Sequence, residues 1–165
     1  MLAPDGRAVL LDALRPPQGY ELGFAVATTF TLDLAAALIV PLAFAGSQLG
    51  EAKDPVAVME AVRSSADRVA IFCQAGNIVV PQQASDLVAF IEQCVHEVRR
   101  PKPGHLFHPK LWALRYEAEE HEPTYRLLVL TRNLTLDRSW DLVLRLDSDD
   151  TRRRRNRDNE QLARV

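Results

Sequence analysis

Hydrophobic and polar positions along this chain follow a helical rhythm interleaved with strands at first, and strands alone later. Val9, Leu10, Leu11 and Leu14 recur at helical spacing until Pro16, Pro17 and Gly19 break it, which predicts a short helix within residues 1–15. The run ELGFAVATTF, residues 21–30, is rich in β-formers and predicts a buried strand. It turns at Thr31 into a helix capped by that hydroxyl, with Asp33 in the first turn. Asp54 and Pro55 open a further helix, as N-cap and first helical position, whose apolar face is Val58, Met59 and Val62. A strand follows at 68–73, then a short extended piece at 77–80. A helix then starts at Gln82 or Ser85 and buries Leu87, Val88, Ile91 and Cys94; residues 94–100 also read as a strand. Three closely spaced strands finish the pattern, at 108–116, 125–131 and 140–146, the first two joined by an acidic loop, 117–124. The expected fold class is therefore α/β: a mixed β-sheet flanked by helices, ending in a C-terminal β-meander.

Length and charge narrow the picture. A chain of 165 residues fits one domain, assigned here to 1–150, and buries roughly two-thirds of its unfolded surface. Residues 151–165 hold six arginines against Asp158 and Glu160, and read as a basic tail or linker. The net charge of −2 thus hides a body at −6, which excludes a uniformly basic nucleic-acid surface. A grip on phosphate must be local, with Arg99, Arg100, Lys102 and Lys110 as candidates. Cys73 and Cys94 are too few for a disulfide framework and are expected as reduced thiols. The opening segment has no basic region before an apolar run, so cytoplasmic residence is expected. The most apolar stretch, 34–45, falls short of the roughly 20 residues that a membrane helix requires and contains Pro41, so no membrane partner is expected.

His108-Pro109-Lys110 carries the chemistry. On a strand, positions i and i+2 share a face, so imidazole and ammonium would point into the same space. A histidine can attack phosphorus or protonate a leaving oxygen, and a lysine stabilises charge on non-bridging oxygens. Downstream stand Thr131-Arg132-Asn133-Leu134-Thr135 and Ser139-Trp140-Asp141. With these residues the chain resembles the phospholipase D superfamily, in which a strand-borne His-x-Lys is followed, after a hairpin, by a small-polar residue and an asparagine two positions on. The resemblance covers mainly residues 105–146. It implies His108, Lys110 and Asn133 as catalytic residues, with Asp141 orienting His108 from the next strand; Thr131, Arg132 and Arg115 complete the set as substrate-binding residues. Asp141 could instead pair with Arg132 or Arg145, and Asn133 could simply hold a left-handed turn.

Two departures sharpen the expectation. The fuller family motif has an aspartate five positions after the lysine, where this chain has Arg115. The tyrosyl-DNA phosphodiesterase-like branch lacks that aspartate, which implies a phosphodiester substrate in nucleic acid rather than lipid. Members of the family build the site from two His-x-Lys motifs, but His96, His105 and His121 are not followed by one. The missing half is therefore expected from a second copy in a homodimer or from further chain. Without it the fold would serve as a non-catalytic nucleic-acid or protein-binding module, or as the structural half of a larger enzyme. No cofactor and no metal are implied, since a strand aims His105 and His108 at opposite faces. Trp112 and Trp140 are expected as core and rim residues.

Overall fold

A computed structural model describes residues 10–49, 55–81, 86–100, 102–137 and 139–148. Asp54, Gln82, Ser85 and the basic tail 151–165 lie outside the described residues. The elements in chain order are α1 (Leu10–Leu14), β1 (Glu21–Thr29), β2 (Leu32–Asp33), α2 (Leu34–Leu49), α3 (Pro55–Ala66), β3 (Val69–Gln74), β4 (Ile78–Val79), α4 (Asp86–Glu92), β5 (Val95–Val98), β6 (Leu111–Glu117), β7 (Thr124–Leu130) and β8 (Val143–Asp147). The main sheet has six strands in the order β5-β3-β1-β6-β7-β8. β5, β3 and β1 run parallel, and β6, β7 and β8 form an antiparallel meander beside them. The expected mixed sheet with its C-terminal meander is what the chain forms.

Helices α1, α2 and α4 cover one face of this sheet, and α3 packs on α2. Leu14, Val40, Phe44, Val88 and Ile91 pack in one core with Leu22, Ala25, Ala27, Ile71, Trp112, Leu114, Tyr116 and Leu128. Ala25 and Ala27 of β1 and Ala37 of α2 are small buried members of this core. Each fully buried large side chain here, such as Leu32, Ile71 or Leu128, contributes about 1.5–3 kcal/mol over its exposed state. Strand alternation turns the intervening residues to the other face, and there Phe24, Tyr125, Val129, Leu144 and Leu146 are each more than two-fifths exposed. Gly23 sits in the irregular register between β1 and β6, and a Cβ there would meet the Glu117 side chain at 2.8 Å, so that side chain would have to shift.

Local details depart from the sequence pattern in physically clear ways. Asp33, not Thr31, caps α2: the Ala35 N–H donates to Asp33 Oδ1 at 2.9 Å. Thr31 is displaced from that role because residues 32–33 pair with 78–79 as a short second sheet before the helix begins. Pro41 does not end α2, which continues to Leu49 with that proline buried inside it. No helix among the described residues is long and apolar enough to cross a membrane. Cys73 and Cys94 are buried free thiols, both pushed up in pKa by burial first and by Glu97 and Asp67 respectively second.

Candidate active site

The C-terminal end of β1 organises the site. Thr28 Oγ1 accepts the Leu111 N–H at 3.1 Å, and Thr29 Oγ1 accepts the Leu134 N–H at 3.0 Å while donating to the Thr31 carbonyl at 2.8 Å. The Phe30 N–H donates to Asn133 Oδ1 at 3.3 Å. From the neighbouring strand, buried Gln74 accepts the Phe107 N–H through Oε1 at 2.8 Å, and the Leu130 N–H donates to the Lys110 carbonyl at 2.9 Å. The segment 107–111 is thus pinned by β1, β3 and β7, while 133–134 is pinned by β1. These hydrogen bonds bring His108, Lys110 and Asn133 to one end of the sheet, where Phe30 meets both His108, with ring centroids 5.1 Å apart, and Asn133.

His108 and Lys110 lie ahead of the strand rather than on it, because β6 begins at Leu111, three residues later than the pattern predicts. Pro109 has no N–H to give a ladder, which favours a strand starting beyond it. The two side chains still meet. Lys110 Nζ lies 3.2 Å from His108 Nδ1 and 3.0 Å from Nε2, and donates to the His108 carbonyl at 3.3 Å. Ring lone pairs lie in the ring plane and point apart, so an ammonium that reaches both nitrogens at once rests against the face of the imidazole. Desolvation lowers the pKa of Lys110. Asn133 spends its acceptor oxygen on Phe30 and keeps its NH₂ group as a donor. It holds no left-handed turn, since no described residue other than glycine has positive φ.

The remaining candidates stand elsewhere. Asp141 does not orient His108: its Oδ1 accepts the Thr131 N–H at 2.9 Å, the Thr131 hydroxyl at 2.8 Å and the Arg132 N–H at 3.1 Å. The strand expected over 140–146 begins only at Val143, so Asp141 is a loop residue that fixes the turn carrying Asn133. Thr131 is committed to the same turn, accepting the Leu142 N–H at 3.0 Å. The Arg132 guanidinium forms the inside of this loop, donating to the carbonyls of Ser139 (2.9 Å), Asp137 (2.6 Å) and Thr135 (3.4 Å) and pairing with Asp137 at 2.8 Å. Hydrogen bonds from Ser139 and Thr135 hold the Asp137 carboxyl well below the usual carboxylate range. Arg115 is on the uncovered face of β6, paired with Glu117 at 2.9 Å, so alternation separates it from the site.

The four histidines do not converge: His96 packs on Phe72, His121 on Tyr20, and His105 is exposed in a loop. No group of three potential metal ligands occurs among the described residues. Sequence reading missed Thr28, Thr29 and Gln74. Their signal was present as polar residues closing two otherwise apolar strands. Thr29→Val keeps the shape but removes the acceptor of the Leu134 N–H, so about 1–3 kcal/mol of stability is expected to be lost in urea unfolding.

No family model matches the chain, and no curated protein does. Among solved structures, the chain is similar to yeast tyrosyl-DNA phosphodiesterase. The TM-score is 0.43 at 15% sequence identity, over 76% of this chain and 24% of that one. Two mutants of the same yeast enzyme match with the same figures. The chain spans 24% of the length of that enzyme.

Proposed function

We propose that this chain is one half of a metal-independent phosphodiesterase of the phospholipase D-like class, acting on a phosphodiester in nucleic acid. The observation that carries the reading is the Lys110 ammonium held 3.0–3.2 Å from both ring nitrogens of His108, on a segment anchored beside the Asn133 turn.

A phosphoryl group arriving here draws Lys110 off the imidazole, because an ammonium is stabilised more by an anion than by the face of the ring. A ring nitrogen is open to that phosphoryl group, because its lone pair lies in the ring plane, clear of the face where the ammonium rested. The nitrogen attacks phosphorus, forming a P–N bond as the P–O bond to the leaving group breaks, and Lys110 and the Asn133 NH₂ stabilise charge on the non-bridging oxygens. The leaving oxygen needs a proton and the phosphohistidine needs an activated water. A histidine from a second half supplies both, either from a second copy of the chain or from further chain.

The test is cleavage of bis(4-nitrophenyl) phosphate with a chelator present, measured over a range of protein concentrations. Turnover is expected to be indifferent to chelator. Specific activity is expected to rise with concentration if two copies form the site. Activity restored only by added divalent metal would sink the mechanism.

A further inference from the structure

A cavity of about 610 Å³ opens beside the site, between α1, α2, the covered sheet face and the loop residues 132–136 and 139–142. Its apolar walls include Leu14 of α1, Val40 of α2, Trp112, Leu130, Leu134 and Val143, and Lys110 and Asn133 belong to the same lining. The volume lies in the range of roughly 300–1,000 Å³ typical of small-molecule sites, which likewise pair apolar walls with a few convergent polar groups. Water gains few partners against such walls, so an apolar guest displaces it favourably.

We infer that this cavity takes a hydrophobic substituent, ring or chain, of the same phosphoester whose phosphate is held by Lys110 and Asn133. The inference rests on the phosphodiesterase reading and adds to it the chemistry of one esterified group. A substrate bound this way places its charge against the cation and its apolar group against Val40 and Trp112. Substituents too small to fill the cavity lose that part of the affinity.

Both tryptophans of the chain, Trp112 and Trp140, line the cavity, so intrinsic fluorescence reports its occupancy directly. The probes are diphenyl phosphate and dihexyl phosphate, with dimethyl phosphate and inorganic phosphate as small anions and naphthalene as an uncharged guest. Burying a ring or chain should make diphenyl or dihexyl phosphate bind at least about ten-fold more tightly than dimethyl phosphate, and comparing the two tells ring from chain. Val40→Phe, which fills the cavity, should erase this advantage and leave dimethyl phosphate affinity unchanged. Should that variant fail to fold, Trp140→Ala at the exposed rim should reduce the advantage in the same direction.

Equal affinities for diphenyl, dihexyl and dimethyl phosphate, all weakened by Lys110→Met, would overturn the cavity inference and leave the phosphate site standing. Binding of every phosphate unaffected by Lys110→Met would overturn the phosphodiesterase reading itself. Naphthalene binding as tightly as diphenyl phosphate would show a greasy cavity uncoupled from the cation, and would also overturn the inference.

Discussion

Under the proposed mechanism, His108→Asn is expected to lower phosphodiester turnover by about three orders of magnitude or more, since it removes the proposed nucleophile rather than a binding contact. An asparagine amide nitrogen has no available lone pair, so no P–N bond can form. His108 is exposed and touches the fold chiefly through its ring against Phe30 and the Lys110 ammonium. The substitution should therefore change stability by no more than about 0.5 kcal/mol. Phosphate affinity is expected to persist or increase, because Lys110 no longer has the imidazole as an alternative partner. Single-turnover kinetics beside a fluorescence titration separates these quantities. A variant that keeps turnover within ten-fold of the parent would remove His108 from the chemistry. Mixing His108→Asn with the parent protein should yield less activity than the parent contributes alone if the site spans two copies.

Arg126→Ala is expected to have the largest effect on stability. The guanidinium is 4% exposed and satisfies three groups at once: the carbonyls of Ala13 (2.7 Å) and Arg15 (2.8 Å) and the Tyr116 hydroxyl (3.3 Å). Its Nε also pairs with Asp147 at 2.5 Å. Arg126 therefore joins α1 and its C-terminal flank to the middle and the edge of the sheet. Truncation leaves two carbonyls without this donor and opens a void over the Tyr116 ring, where the guanidinium carbon lies 5.1 Å from the ring centroid. The loss is expected at about 3–5 kcal/mol, a large share of the 5–15 kcal/mol that holds an ordinary domain together. Chemical unfolding measures it, and a loss below 1 kcal/mol would show that α1 is not held this way.

Burial raises the pKa of Asp147, but hydrogen bonds from Arg145 and Arg126 outweigh it and leave the folded value depressed. A depressed carboxylate contributes stability that is fully present above its unfolded pKa of about 3.9 and is lost as pH falls through the folded value. Acid should therefore reproduce part of the Arg126→Ala effect, starting below about pH 4. The Tyr116 hydroxyl, pushed up to about 12 by burial against the opposing pull of Arg126, stays protonated throughout and keeps donating to the Leu14 carbonyl at 3.0 Å.

Hydrophobic periodicity determined the fold class. The β-rich run at 21–30, the strand at 68–73 and the closely spaced strands after residue 108 each record which side chains must leave water, and burial is a property of the residues themselves. The same holds for His108, Lys110 and Asn133, whose chemical types are legible in any conformation. Tertiary structure decided the partnerships, because side-chain to backbone hydrogen bonds between separate segments, some a hundred residues apart, leave no local signature. Thr29 and Phe30 holding Leu134 and Asn133, and Gln74 holding Phe107, depend on how β1 and β3 align with the later strands, and the capture of Asp141 by the Thr131 turn goes with the pairing of β7 and β8. So does the side of the sheet on which a residue falls: one step of alternation put Arg115 on the uncovered face, and the start of β6 beyond Pro109 left His108 and Lys110 ahead of the strand at the sheet's end.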